Sequence, residues 1–407
     1  MSFTPNLENI RERCEKEATR TVPPNNFPHL PRIPAGRYIS EEFEALENKY
    51  LWRRNWLCAG RESDLPEQGS YRLFRKLGPT IVLVRGKDNC IRAFYNTCRH
   101  RGAPIVRDES GRTNLLRCQF HSWSYSLDGK LIGVPDEGDF TCFDRNENSL
   151  ISVRCEVWDG WIFINLDNNA LALHKELGTL PQQLESLGMS DLRVIDKRSY
   201  IVQCNWKTTV DAFLEVYHLK TIHPETANAA LDHKLSTIEL LQGGHAWNAV
   251  GRREALSNTI GDKTGKPDIP SLAEVFRQYG FTYSLFPNIV APIDPVGFPW
   301  LVIWPQGIKQ CEIEVYFIGP DWGGGPQPTF YEQYFAFFEK LVGEDIKNLA
   351  PIQESLESGA YTGSLVNYQE RRIYWFNEEI DRRIGVERIP SGMRVSQVLT
   401  PETEYID

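Results

Sequence analysis

Cys98-Arg99-His100 and, seventeen residues further on, Cys118-Gln119-Phe120-His121 place two mixed Cys/His pairs on two neighbouring loops. Two thiolates and two imidazoles suit one tetrahedral zinc ion. They are also the ligand set of a Rieske [2Fe–2S] centre, in which two histidines replace two cysteines on one iron and raise its potential. Spacing separates the two readings. Zinc ligands commonly arrive as a C-x₂₋₄-C pair followed by an H-x₃₋₅-H pair. Here each loop supplies one thiol and one imidazole, which suits a binuclear cluster with both sulfurs on one iron and both nitrogens on the other. Gly102 follows the first pair and Ser122-Trp123-Ser124-Tyr125 the second. Glycine lets backbone approach a cluster closely, and nearby N–H groups tune its potential.

A second histidine pair, His218-x₄-His223, lies about a hundred residues later. Two imidazoles and one carboxylate form the facial triad of non-haem Fe(II) sites, which leaves positions open for O₂ and substrate. A period of 3.6 over TTVDAFLEVYHL sets Asp211, Glu215 and His218 along adjoining positions of one helical face. His223 stands just before Pro224, where that helix is expected to end.

With both motifs in place, residues 40–385 resemble the Rieske non-haem iron oxygenases, the terminal oxygenase α subunits of ring-hydroxylating and demethylating systems. CRHRG…CQFHSWSYSLDGKL, NWK followed by E-x-x-H-x₄-H, and the late stretch Glu344-Asp345…Gln353 carry the resemblance in the order of that family. It implies that Cys98, His100, Cys118 and His121 hold the [2Fe–2S] cluster. It implies further that His218, His223 and Asp345 hold mononuclear Fe(II), with Glu344 as the alternative carboxylate. Glu215 and Asp211 are the carboxylates expected to act in catalysis. Glu215 stands where the family bridges a Rieske histidine, His121 of a neighbouring subunit, to the iron histidine His218. Many members carry Asp there, and Glu is shared with some demethylating and quaternary-ammonium-oxidising members. Ala212 departs from the family, in which Asn is common directly after the position of Asp211. By family placement, Phe213, Leu219, Trp247, Phe281, Tyr283, Phe286, Asn288 and Val290 are candidates to line the substrate pocket.

The resemblance implies an enzyme that passes electrons from the cluster to the iron, activates O₂ and hydroxylates a small organic substrate, an aromatic one before others. Oxidative N- or O-demethylation, or monooxygenation of a quaternary amine, is the alternative. A Rieske electron carrier without oxygenase activity is the rival of another class. No G-x-G-x-x-G fingerprint follows a strand, so NAD(P)H is expected to act only through a separate reductase, with or without a ferredoxin. The assembly expected is a head-to-tail homotrimer, with or without a small β subunit.

The rest of the chain fits that reading. Its 407 residues suffice for two or three domains. A net charge of −9 argues against a nucleic-acid footprint. No run of 18 apolar residues indicates a membrane span. The polar first twenty residues show no secretory h-region. Nine scattered cysteines read as reduced thiols of a cytoplasmic protein. The expected fold is α+β: an N-terminal arm and helix over 1–45, a β-rich Rieske domain over 46–168, and a catalytic domain over 169–407. The last is expected to be an antiparallel sheet covered by helices, of the helix-grip kind. Ser40–Trp56 reads as a helix capped by Ser40. Strands are expected at SYRLFRKL, TIVLVRG, IRAFYNTC and WIFIN. More follow at YIVQCNW, STIELLQG, HAWNAVGR, FTYSLFPNIVAPI, WLVIWPQG and CEIEVYFIGP. Helices are expected near 331–360 and 368–384.

Overall fold

The computed structural model describes residues 5–253 and 267–401. The chain divides into two compact units, Trp52–Glu176 and, together, Met1–Leu51 with Leu177–Asp407. The 52–176 unit is thus an insertion. The sequence boundaries at 45/46 and 168/169 stand beside observed divides at 51/52 and 176/177, because the N-terminal segment shares a core with the C-terminal one.

That segment opens with α1 (Leu7–Thr19), whose N-cap Asn6 accepts from the amides of Glu8 and Asn9. Arg13 on α1 donates to Thr237 Oγ1 and the Ile238 carbonyl, and pairs with Glu239 at 2.7 Å. The helix expected over 40–56 is shorter. Ser40 does cap α2 (Glu41–Leu46), which ends in one widened turn, Glu47–Leu51. The residues that follow leave for the other unit, where Trp56 is buried and donates to the Leu171 carbonyl.

In the 52–176 unit, ten strands form two sheets. These are β1 (Leu57–Arg61), β2 (Ser70–Phe74), β3 (Ile81–Arg85), β4 (Ile91–Tyr95), β5 (Ser110–Arg112), β6 (Leu116–Arg117), β7 (Ser124–Tyr125), β8 (Leu131–Gly133), β9 (Ser152–Trp158) and β10 (Trp161–Asn165). The larger sheet runs β1-β10-β9-β4-β3-β2-β5, and β6-β7-β8 form the smaller. Tyr71, Val82, Phe94, Ile105, Trp123 and Leu131 belong to one buried core that also contains Cys98 and Cys118. The apolar core therefore holds both thiols in place.

The other unit carries a second seven-stranded sheet. Its strands are β11 (Arg193–Val202), β12 (Leu231–Leu240), β13 (Ala246–Arg252), β14 (Tyr279–Leu285), β15 (Ile289–Ile293), β16 (Phe298–Pro305) and β17 (Cys311–Gly319). The order β11-β17-β16-β15-β14-β13-β12 is antiparallel throughout. Register separates its faces, since alternate residues point to opposite sides. Thr237, Glu239 and Trp247 turn to α1, where Arg13 lies 5.3 Å over the Trp247 ring. The opposite face meets α3 (Trp206–Phe213), α5 (Phe330–Glu357) and α6 (Arg371–Ile384), a short α4 (Leu219–Ile222) following α3. Phe317 there packs on Phe335 and Phe338 of α5, and Arg372 of α6 reaches Asn248 and the Thr282 carbonyl.

Buried polar pairs join the N-terminal segment to these helices. Lys207 Nζ meets Glu47 at 2.8 Å with both side chains at most 2% exposed, and Trp206 Nε1 also donates to Glu47. Burial pushes the Lys207 pKa down, against the pull of Glu47. Arg37 binds Asp381 and Asn377 in the same dry layer. Breaking such a pair on one side strands a charge, whereas replacing both partners by apolar groups is often neutral. Glu47→Ala is therefore expected to cost about 3–5 kcal/mol in a denaturant titration, and Glu47→Leu/Lys207→Met far less.

Candidate metal centres

The cluster loops are built alike. In the first, the Cys98 amide donates to the Ala103 carbonyl and the Gly102 amide returns to the Cys98 carbonyl. In the second, the Cys118 amide donates to Trp123 and the Ser122 amide to Cys118. Each turn needs one left-handed residue, Gly102 at φ +76° and Ser122 at φ +59°. Both loops thus bring a thiol and an imidazole to the same end of the unit. The His100 and His121 rings lie 4.6 Å apart, and His100 stacks on Trp123 at 4.9 Å. Tyr125 sets its hydroxyl 3.4 Å from Cys98 Sγ while accepting from the Arg99 amide.

These residues fit a binuclear cluster. His100 Nδ1 is buried without a hydrogen-bond partner among the described residues, a lone pair free to bind a metal. Burial, with Cys118 alongside, pushes the Cys98 thiol pKa up, so an apolar site of this kind calls for a cation to hold the thiolate. Among the described residues, the four do not draw in tightly enough for a single ion. The one group whose ligand atoms all lie within 4.8 Å of one another is His218, His223 and Asp345.

That second group assembles from two distant segments. Asn205 caps α3 through the Lys207 amide, and its own amide donates to Gln353 of α5 at 2.8 Å. This joins the histidine segment to the helix that carries Asp345. Asp345 Oδ1 lies 3.0 Å from His223 Nε2 and 3.6 Å from His218 Nε2, and its residue is 6% exposed. Both Nδ1 atoms are held from behind. His218 Nδ1 contacts Glu215 Oε1, and His223 Nδ1 sits 2.8 Å from Glu344 Oε2, which also accepts from Thr226. Carboxylates behind metal-binding imidazoles fix tautomer and orientation. Burial alone would lower the His223 pKa, but Asp345 and Glu344 outweigh it and hold it above its ordinary value. Two imidazoles and one carboxylate that converge, with open positions between them, can hold Fe(II). Glu344→Gln is expected to weaken Fe(II) binding about 10–100-fold in a metal titration and to leave the cluster loops untouched.

Several sequence expectations are revised here. Glu344 turns to His223 Nδ1 rather than into the triad. The single helical face through Asp211, Glu215 and His218 does not form, since α3 stops at Phe213. Glu215 Oε2 takes the amides of Tyr217 and His218, a local bond that competes with helix continuation. Asp211 lies apart from the converging ligands: Tyr38 donates to its Oδ2 at 2.8 Å, and burial pushes its carboxyl up to about 7. Trp247, Phe281 and Tyr283 share one sheet face and one ring cluster with Phe276. That face turns to α1, so the three fill core instead of a pocket beside His218. Phe286 packs on Phe376, and Asn288 bonds the Ile303 carbonyl. Leu219 packs with Val216 and Val250, and Ala227 and Leu231 adjoin them. Val290 is buried on the same sheet face as Val250. Phe213 closes α3, half-buried. Thr226 escaped the sequence reading, though a hydroxyl three residues after His223 was the available signal.

Comparison with known proteins finds a domain family for each unit. Residues 55–144 match the family model of the Rieske [2Fe-2S] domain, and residues 189–386 that of the ring hydroxylating alpha subunit (catalytic domain). The carnitine monooxygenase oxygenase subunit of Escherichia coli (strain K12) is 34% identical over 209 residues, 50% of this chain and 56% of that protein. The 2-aminobenzenesulfonate 2,3-dioxygenase subunit alpha of Alcaligenes sp is 30% identical over 253 residues, 60% of this chain and 64% of that one. The matched stretches thus span between half and two thirds of these relatives. A crystal structure of a quaternary ammonium Rieske monooxygenase superposes with a TM-score of 0.73 at 20% identity, covering 92% of this chain and 98% of that one, a likeness of fold. With a Rieske-type ligand set in one unit, a two-histidine, one-carboxylate site in the other, and a family model matching each, the chain joins a Rieske [2Fe-2S] domain to the catalytic domain of ring hydroxylating alpha subunits.

Proposed function

We propose that this chain is the terminal oxygenase component of a multicomponent system. The observation that carries the proposal is the convergence of His218, His223 and Asp345 in a chain that also holds the Cys98/His100/Cys118/His121 set. The cluster would supply one-electron transfer and the Fe(II) site the activation of O₂. The residues do the rest. Asp345 faces both Nε2 atoms, and Glu215 and Glu344 hold the rings.

The substrate we infer is a small uncharged organic molecule, an aromatic ring before others. Support comes from the aliphatic cluster of Val216, Leu219 and Val250 with Ala227 and Leu231, two of whose members, Val216 and Leu219, flank His218 in sequence. A quaternary ammonium group is commonly recognised by an aromatic cage, and the aromatic cluster of this sheet lies on its other face. Similarity to the carnitine monooxygenase subunit, and Glu215 in place of Asp, support amine oxidation as the second reading. A separate reductase, with or without a ferredoxin, would deliver electrons. A homotrimer, with or without β subunits, is the assembly the family resemblance implies, and a cytoplasmic location fits the free thiols.

Metal and acid-labile sulfide analysis of protein purified without oxygen tests this reading. About three irons and two sulfides per chain, with a Rieske-type EPR signal on reduction, are expected. Zinc without sulfide would overturn it. Substrate-dependent O₂ uptake with aromatic acids, against formaldehyde release from N-methyl compounds, separates the two substrate readings.

A further inference from the structure

We propose that an arginine-lined groove on the 52–176 unit is the docking surface for an acidic electron-donor protein, an inference that rests on the oxygenase reading above. The groove encloses about 460 Å³, and its lining includes Tyr71, Arg107, Asp108, Arg112, Arg117 and Gln119. Three guanidinium groups thus face one carboxylate. Arg112 is paired with Glu67. Arg107 and Arg117 are exposed and make no side-chain hydrogen bond or ion pair with another described residue.

Charge is concentrated here against the trend of the chain. The whole protein carries −9, yet residues 52–176 hold 18 basic residues against 16 acidic. Between Cys98 and Cys118 there are five arginines, all exposed, and two acids, Asp108 and Glu109. Glu109 is already paired with Arg75. Exposed, unpaired arginines make a poor enclosed pocket for a small anion, because they stay solvated. They make an effective field for steering and orienting an acidic protein surface.

The groove is also continuous with the cluster loops. Arg117 precedes Cys118 and Gln119 follows it. Arg107 is tied to the first loop through buried Asn96, two residues before Cys98. The Asn96 side chain accepts from the amides of Ile105 and Val106 at 2.9 and 3.0 Å and donates to the Val106 carbonyl at 2.8 Å. The groove wall is thus the outer side of the peptide that carries the thiols. A donor seated there gives up one electron and the cluster gains it, with no bond made or broken.

The test is the double variant Arg107→Glu/Arg117→Glu in metal-loaded, full-length protein. A reduced plant-type [2Fe–2S] ferredoxin, an acidic one-electron donor, is mixed with oxidised protein in a stopped-flow instrument, and the cluster absorbance is followed across a series of salt concentrations. The second-order rate constant at low salt is expected to fall at least about 10-fold, with the salt dependence flattened. Reduction by dithionite, the EPR signal and the native mass are expected to match the unaltered protein. An unchanged ferredoxin rate would overturn the proposal. A changed native mass would overturn it too, by assigning the groove to contact between copies of this chain. Absence of a Rieske signal in the unaltered protein would remove its premise, and dithionite reduction tells that failure from a failure of the groove.

Discussion

Asp345→Ala is expected to empty the mononuclear site and abolish turnover while the [2Fe–2S] content stays whole. Asp345 Oδ1 is the point on which both Nε2 atoms converge, at 3.0 Å from His223 and 3.6 Å from His218. The residue is 6% exposed, so water cannot simply take its place as a compensating charge. Two neutral imidazoles alone lack the negative charge and the third fixed position that hold Fe(II). The loss should exceed the roughly 100-fold that removal of an outer partner costs. Iron should fall from about three per chain to about two, with sulfide unchanged and the reduced EPR signal intact. Full iron content in the variant would show that another carboxylate is the ligand, and Glu344 is the one within reach of His223. Asp345→Ala/Glu344→Ala then separates the two. If Asp345 alone is the ligand, the double variant binds no less iron than the single.

The contrast between Asp345 and Glu344 shows what could be read from the sequence and what could not. Each Cys/His pair, and His218 with His223, is local, so spacing alone brings the ligands to one loop or turn. The alternating strands of the 52–176 unit and the long helix 330–357 were legible for the same reason, since their periods are short-range. The partnership of His223 with Asp345 spans 122 residues and depends on how α5 seats against α3. No pattern in EDIKN says which carboxylate turns inward. Helical period likewise suggested one face through Asp211, Glu215 and His218, but two backbone amides found a nearer acceptor in Glu215 and the helix ended. The aromatic candidates were misplaced because aromatic content does not reveal which face of a sheet is covered by what. Trp247, Phe281 and Tyr283 face the side covered by α1, a segment that sequence reading had set apart as an arm. Lys207 looked like a motif letter and is a buried charge whose partner, Glu47, lies 160 positions away.

Glu215→Gln is expected to leave both metal centres loaded and to slow turnover about 10–100-fold. One oxygen of Glu215 meets His218 Nδ1, and the other is anchored by the amides of Tyr217 and His218. The carboxylate is therefore a fixed acceptor behind the imidazole, and it makes His218 a better donor to the metal by drawing on its N–H. A glutamine keeps the shape and one acceptor oxygen but removes the charge. If the only task of Glu215 is to orient His218, the amide should preserve most of the activity, and loss should appear as weaker Fe(II) binding. If it also couples the imidazole's charge to arrival of an electron, as the family resemblance implies through His121 of a second copy, iron content should stay near normal. Oxidation of the prereduced cluster by O₂ and substrate should then slow in step with turnover, while reduction of the cluster by dithionite proceeds as before. Glu215→Asp, with the charge kept and the reach shortened, should recover part of the rate. Full turnover by Glu215→Gln with both centres loaded would exclude the coupling role and leave Glu215 as a brace for His218 alone.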